Sequence, residues 1–292
     1  MIVVHFRKPS IWWVDRFLKR FPHLSRRRPE ILGYGRTSVT EKKLRGWYEN
    51  LANILLAEHN LDAKKFLSDE NGHRIFNIDE SGFPLAGSNS RLKVITSRGT
   101  KNVYKVAPDS RTQITVLSYV VASGGFVNPL VIFPGTQPKS NLDPTKANDY
   151  SLGKSPNGWM NSEVFFTWLS IVFYEEIKDA VEFPILVLLD GLTSHINIAV
   201  SDFCRDHNII LFFFPPHASH VIQPLDVAVF GPLKKWYNQE VSGFSRRYNG
   251  LQITKHQFLT LFDPAWQKCI SSPQNPISGF RKTGLIPFNP NA

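Results

Sequence analysis

Residues 184–226 read PILVLLDGLTSHINIAVSDFCRDHNIILFFFPPHASHVIQPLD, and this stretch decides the fold. Its two apolar runs, Ile185 to Leu189 and Ile209 to Phe214, are continuous rather than alternating, the pattern of strands buried on both faces. Between them, Ile198 to His207 has helical spacing. Strand, helix, strand in so short a span predicts a parallel crossover, with the helix laid against one face of a sheet.

Working outward, Ile75 to Asp79, Ile114 to Ala122 and Val127 to Phe133 read as further strands, the last two separated by a turn at Gly124 and Gly125. Ser162 to Val181 reads as a helix with Val164, Phe165, Trp168, Leu169, Val172 and Phe173 on its inner side. Residues 137–159, rich in Pro, Asn, Lys and Ser and without periodicity, are expected to form a surface loop. The order predicts an α/β fold: a mixed sheet, antiparallel first and parallel later, flanked by helices and preceded by a helical fragment. In such sheets ligands gather beyond the carboxyl ends of the parallel strands.

Charge is distributed unevenly. The net charge is +10, yet residues 1–45 hold 12 Lys and Arg against Asp15, Glu30 and Glu41, which leaves the remaining body near neutral. A basic segment of this kind suits a polyanionic partner. It contains an amphipathic helix over Ser10 to Pro22, a basic arm with the triplet Arg26, Arg27 and Arg28, and a second helix over Thr40 to His59 capped by Thr40. On composition the triplet reads equally as a solvated charge run or as a set of phosphate contacts. The apolar runs fall far short of the roughly 20 residues that cross a bilayer, so no membrane association is expected. Arg7 and Lys8, after only a few apolar residues, do not read as a secretory leader. Cys204 and Cys269 fit no metal-ligand spacing, and a reducing compartment is expected.

Three acids stand at the margins of apolar sequence. Asp79 closes IFNID, Asp190 closes ILVLLD, and Asp226 follows PPHASHVIQPL. A carboxylate at the end of a core strand is costly unless it is solvated, paired or bound to a cation. Taken singly, each reads as a solvated strand end or a helix cap, and Asp226 as the cap of a helix beginning at Val227. Taken together in one sheet, three such acids form a set of hard oxygen donors. Mg²⁺ or Mn²⁺ favours that chemistry, and two ions sharing a carboxylate suit in-line displacement at phosphorus.

The surrounding motifs are more specific. NIDESG at Asn77 to Gly82, LLDGLTSH at Leu188 to His195, FFPPHASHVIQPLDVAVFGPLKK at Phe213 to Lys235 and GFRKTGLIPFNP at Gly279 to Pro290 resemble the DDE superfamily of endonucleases. Within it they resemble the pogo, Tigger and jerky transposases, whose catalytic core is similar to ribonuclease H. The resemblance implies that Asp79, Asp190 and Asp226 are the catalytic, metal-binding acids, that two Mg²⁺ or Mn²⁺ ions are the cofactors, and that the substrate is DNA. The 35 residues between the second and third acids agree with the compact spacing of the superfamily.

Glu80 follows the first acid but on a strand belongs to the opposite face, so it is expected behind the metal ligands at most. His195 reads either as a phosphate or water contact or as part of a helix cap with Thr193 and Ser194. Leu192 stands where the family often has His. The basic segment resembles the last part of a centromere-protein-B-type helix-turn-helix domain, which moves Arg26, Arg27 and Arg28 towards DNA contact. By the same resemblance the chain begins inside the second of two such units, an N-terminally truncated arrangement.

The expected domains are a basic helical segment over 1–60, a ribonuclease-H-like core over 70–240 and a helical extension over 241–292. The expected function is metal-dependent phosphodiester cleavage and strand transfer on DNA by a nuclear, transposase-derived endonuclease, with a homodimer implied by analogy. The alternative is a host-adopted, non-catalytic DNA-binding or scaffolding protein that keeps the fold.

Overall fold

The computed structural model describes residues 10–26, 38–86, 112–138, 146, 149–191, 197–248 and 251–292. The chain divides into two compact units, Met1–Ser38 and Val39–Ala292. In the first, the expected amphipathic helix runs over Ile11–Arg20, with the Ser10 side chain accepting from the Trp13 backbone N–H. Its aromatic side chains stack along the helix, Trp13 on Phe17 at 5.2 Å, and none of its residues is buried.

The second unit is built on a six-stranded sheet. The strands are β1 (Ile75–Pro84), β2 (Gln113–Val121), β3 (Leu130–Pro134), β4 (Ser151–Ser155), β5 (Ile185–Asp190) and β6 (Ile209–Phe214), and their order across the sheet is β4-β3-β2-β1-β5-β6. β1, β2 and β3 pair antiparallel, whereas β5 and β6 add in parallel on the other side of β1. The crossover read from residues 184–226 is present, with the helix Ile198–Asp206 between β5 and β6.

Side chains alternate between two cores along the strands with a period of two, as the pleat requires. Ile75 and Phe83 of β1, Val116 and Val120 of β2, and Leu186 and Leu188 of β5 face one core; Phe76 and Ile78, Leu117 and Tyr119, and Val187 and Leu189 face the other. The second core is closed by the helical run Ser162–Thr167, Trp168–Phe173 and Tyr174–Ile177, whose middle turn is π-helical and carries the buried Trp168, Leu169 and Phe173. The first is closed by helices Glu41–His59, Phe230–Arg247, Lys255–Ile270 and Gln274–Lys282.

Three expectations change. Residues 151–155, placed in a surface loop by their composition, form β4, paired in parallel with β3. The sequence SLGKS lacks the apolar signature of a strand because it lies at the sheet edge and is only partly buried.

The boundary expected at residue 60 lies at Ser38. The helix Glu41–His59 is capped by Thr40 as read, but Trp47, Tyr48, Leu51 and Leu55 are buried in the core of the second unit. Trp47 Nε1 donates to the Phe213 carbonyl at 2.7 Å, and its ring lies against Phe212 and Phe214. The boundary expected at residue 241 falls inside the helix Phe230–Arg247, and residues beyond it supply Phe258, Phe262, Trp266 and Phe280 to the same core.

Candidate active site

The pairing of β1 with β5 sets the first two acids side by side. Asn77 is opposite Leu188 in this parallel register, and Asp79 and Asp190 each lie two residues further along. Steps of two keep a side chain on its face of the sheet, so both acids share the face of Asn77 and Leu188, at the carboxyl end of β5. β5 ends at Asp190, while β1 continues along β2 to Pro84. Asp79 therefore stands where its parallel neighbour stops, the position at which sheets of this kind open to ligands.

Asp226 comes from the chain beyond β6. It lies in the π-helical turn Leu225–Val229, and the N-cap position of that turn is Pro224, so Asp226 is not the helix cap that its sequence context allowed. Leu225 and Val229 are buried, and Asp226 between them is exposed. Two residues that the sequence reading passed over hold this turn in place. Asn77, wholly buried, donates from Nδ2 to the Leu188 carbonyl at 3.0 Å, and its Oδ1 accepts from the Leu225 backbone N–H at 2.9 Å. One amide thus joins the three chain segments that carry the three acids.

From the other side, Gly279 of the C-terminal helix packs against the backbone just ahead of Asp226. A Cβ there would meet the Pro224 carbonyl oxygen at 2.8 Å and the Ala228 Cβ at 3.3 Å. Both residues lie inside motifs quoted above, NIDESG and GFRKTG. Their visible signals were an amide two residues before an acid on the same face, and a glycine inside a helix.

The electrostatics record the proximity of the acids. Asp79 is half-buried as a residue, with its carboxyl group enclosed by protein. Burial first, then the charges of Asp226, Glu80 and Asp190, push that carboxyl well above the usual carboxylate range, and a hydrogen bond from the Glu80 backbone N–H opposes them only in part. Glu80 alternates to the opposite face, as expected from the pleat, and acts on Asp79 by its charge. Among the described residues, no group of three or more His, Cys, Asp or Glu side chains is arranged so that it could hold a metal ion. A cavity of about 550 Å³, lined by Ile54, His59, Cys204 and Leu211 among others, contains none of the three acids.

Gln223, three residues before the third acid, is wholly buried beside Pro224, and its backbone carbonyl accepts from the Val227 N–H. Arg26 pairs with Asp15 at 2.6 Å and is half exposed. Arg27, Arg28, Leu192 and His195 lie outside the described residues. Among the described residues no helix is long and apolar enough to cross a membrane.

Residues 111–276 match the family model described as DDE superfamily endonuclease. A protein of Cochliobolus lunatus named "MFS-type transporter clz9" is 32% identical over 231 residues, which cover 78% of this chain and 24% of that protein. The "Pogo transposable element with KRAB domain" of Mus musculus is 21% identical over 285 residues, covering 94% of this chain and 44% of that protein. The chain thus spans less than half the length of either relative.

Among solved structures, "Mos1 transposase paired-end complex with left transposon end" superposes with a TM-score of 0.50 at 15% identity, covering 89% of this chain and 69% of that one. The six-stranded mixed sheet flanked by helices is that ribonuclease-H-like fold. The family match spans the second strand, the crossover and the turn that bears Asp226, and on this basis the chain belongs to the DDE superfamily of endonucleases, with a pogo transposable element protein among its relatives.

Proposed function

We propose that the chain is the core of a metal-dependent DNA endonuclease and strand transferase in which Asp79, Asp190 and Asp226 hold two divalent cations, Mg²⁺ or Mn²⁺. The observation that supports this reading is the register that sets Asp79 and Asp190 at neighbouring positions of one sheet face, with the turn bearing Asp226 tied to the same strands through Asn77. Burial first, and then the charges of Asp226, Glu80 and Asp190, raise the Asp79 carboxyl in the absence of a counter-ion. Three carboxylates are hard oxygen donors, and a cation beside them offsets the burial and the repulsion that together raise Asp79, so the donor set suits the ions by its chemistry. When bound, such ions stabilise the attacking and leaving oxygens of an in-line displacement at phosphorus.

The residues of the chain do the rest. Asp79 must lose its proton to serve as a ligand, so cation binding releases a proton and tightens as pH rises. Asn77 holds the β5 end and the Leu225 turn, and so the segments that carry Asp190 and Asp226, at fixed spacing. Glu80, on the reverse face, tunes Asp79 through its charge. No covalent protein intermediate is required: water attacks one phosphodiester, and the freed 3′ hydroxyl attacks a second. Arg26, Arg27 and Arg28 contribute sequence-independent phosphate contacts. A DNA substrate implies a nuclear location. Joining two ends implies a dimer, in keeping with the paired-end state named for the Mos1 structure.

Leu192, standing where the family often has His, favours a second reading, a DNA-binding scaffold that keeps the fold without the chemistry. Nicking of supercoiled plasmid by the full chain in Mn²⁺ separates the two. Wild-type activity that disappears in a folded Asp190→Asn variant is the expected result. Equal nicking by both proteins removes the three-acid assignment, and no nicking by wild type together with no Mn²⁺ binding favours the scaffold.

A further inference from the structure

The register that places Asp79 beside Asp190 also places a second group beside it, from β2. Asp79 is directly opposite Ser118 in the antiparallel pair, as Asn77 is opposite Val120 and Ser81 opposite Val116. Side chains of directly opposed residues share a face, with Cβ atoms about 5 Å apart. Val116 and Val120, two residues to either side of Ser118, line the same core as Ile75 and Phe83, so the face is that of Asp79.

Ser118 is 0% exposed, and its Oγ has no hydrogen-bond partner. Leaving a buried hydroxyl unsatisfied costs about 1–3 kcal/mol. The neighbouring positions of β2 are Val116, Leu117, Tyr119 and Val120, so an apolar residue at 118 would match its surroundings without that cost. The hydroxyl is therefore available as a donor to a group on its own face of the sheet.

Its opposite neighbour supplies that group. An aspartate that ligates a cation through one oxygen keeps lone pairs on the other, and such carboxylates are held in orientation by a hydrogen-bond donor behind them. Glu80 provides one donor to Asp79 from its backbone N–H. Ser118 is placed to provide a second from a side chain on the neighbouring strand, as a charge-assisted bond to an anionic acceptor.

We infer that Ser118 is a positioning residue of the metal-binding state: its hydroxyl donates to the Asp79 carboxylate when that carboxylate holds a divalent cation, and fixes its orientation. This rests on the three-acid reading above and adds to it a residue that touches neither the metal nor DNA.

The test is calorimetric titration of Mn²⁺ into the full chain at fixed pH and ionic strength, for wild type, Ser118→Ala, Ser118→Thr and Asp190→Asn. Ser118→Ala is expected to weaken Mn²⁺ binding about tenfold to a hundredfold. Ser118→Thr, which keeps the hydroxyl, is expected to bind close to wild type. In chelator the melting temperature of Ser118→Ala is expected to equal or exceed that of wild type, because the change removes an unsatisfied buried group; a purely structural hydroxyl would show the reverse. Wild-type affinity in Ser118→Ala, with binding lost in Asp190→Asn, overturns the role of Ser118 and leaves the site standing. Wild-type affinity in Asp190→Asn overturns both.

Discussion

On one face of the central sheet, Phe76, Ile78, Leu117, Tyr119, Val187 and Leu189 pack against Trp168, Leu169 and Phe173 of a single helical run. On the other face the same strands present Asn77, Asp79, Ser81, Ser118 and Asp190 among their apolar residues. The two faces differ in how they are closed. The apolar face needs only volume and is filled by interlocking rings, with Phe173 5.4 Å from Phe76 and 5.1 Å from Tyr119. The polar face is closed by segments distant in sequence, the Leu225 turn and the C-terminal helix, and directional contacts set their positions. Both faces bury apolar side chains, and only the second also holds charges together.

That division is open to direct attack from either side. The largest effect is expected on the polar face: Asp190→Asn should lower Mn²⁺-dependent cleavage on the order of a thousandfold, since metal stabilisation of the transition state amounts to several kcal/mol. Its melting temperature should stay at or above that of wild type, because one of the charges that repels Asp79 is removed. A large loss of stability in this variant would break the division.

On the apolar face, Phe173→Ala should cost about 3–5 kcal/mol in denaturant unfolding. It should leave the Mn²⁺ affinity of the remaining folded protein unchanged. Asn77→Ala probes the join between the faces. It leaves the Leu225 N–H and the Leu188 carbonyl buried without their partner, at about 1–3 kcal/mol for each, and it should weaken Mn²⁺ binding as well, so that stability and site fail together. Gly279→Ala should cost about 1–3 kcal/mol through the close approach to Pro224 and should move the Asp226 turn, seen as weaker Mn²⁺ binding than its stability loss explains.

The smallest effect sharpens the electrostatic half of the comparison. The Asp79 carboxyl is raised in the folded chain, so the native state binds its proton more tightly than the unfolded state does. The stability it contributes is complete below the unfolded carboxyl pKa of about 3.9 and is lost as pH rises through the raised folded value. Melting in chelator should therefore decline over that range in wild type and decline less in Asp79→Asn. An identical pH slope in the two proteins would show that Asp79 is not the group responsible.

Much of the fold was legible because burial on both faces leaves a plain mark in sequence. ILVLL and IILFFF have no other economical reading, and the helix Glu41–His59 announced its start through Thr40. SLGKS was not legible as a strand, since an edge strand needs little apolar surface and takes its identity from the partner it pairs with. Nor did the helical period of Glu41–His59 say what would cover its apolar stripe. The two amphipathic helices of the basic segment look alike in sequence, yet Ile11–Arg20 contains no buried residue while Glu41–His59 buries Trp47, Tyr48, Leu51 and Leu55.

For the site, the sequence by itself determined which acids were candidates and that they lay at the ends of apolar elements, because strand periodicity and terminal position are local properties. The tertiary structure alone decided that Asp79 and Asp190 share a face at neighbouring positions, that Asp226 lies within a turn instead of capping it, that Asn77 and Gly279 hold that turn, and that Ser118 lies opposite Asp79. The physical reason is sequence distance. Asn77 meets Leu225 across 148 residues, and pairing register, hydrogen bonds and close backbone approach between segments so far apart exist only once the sheet has formed.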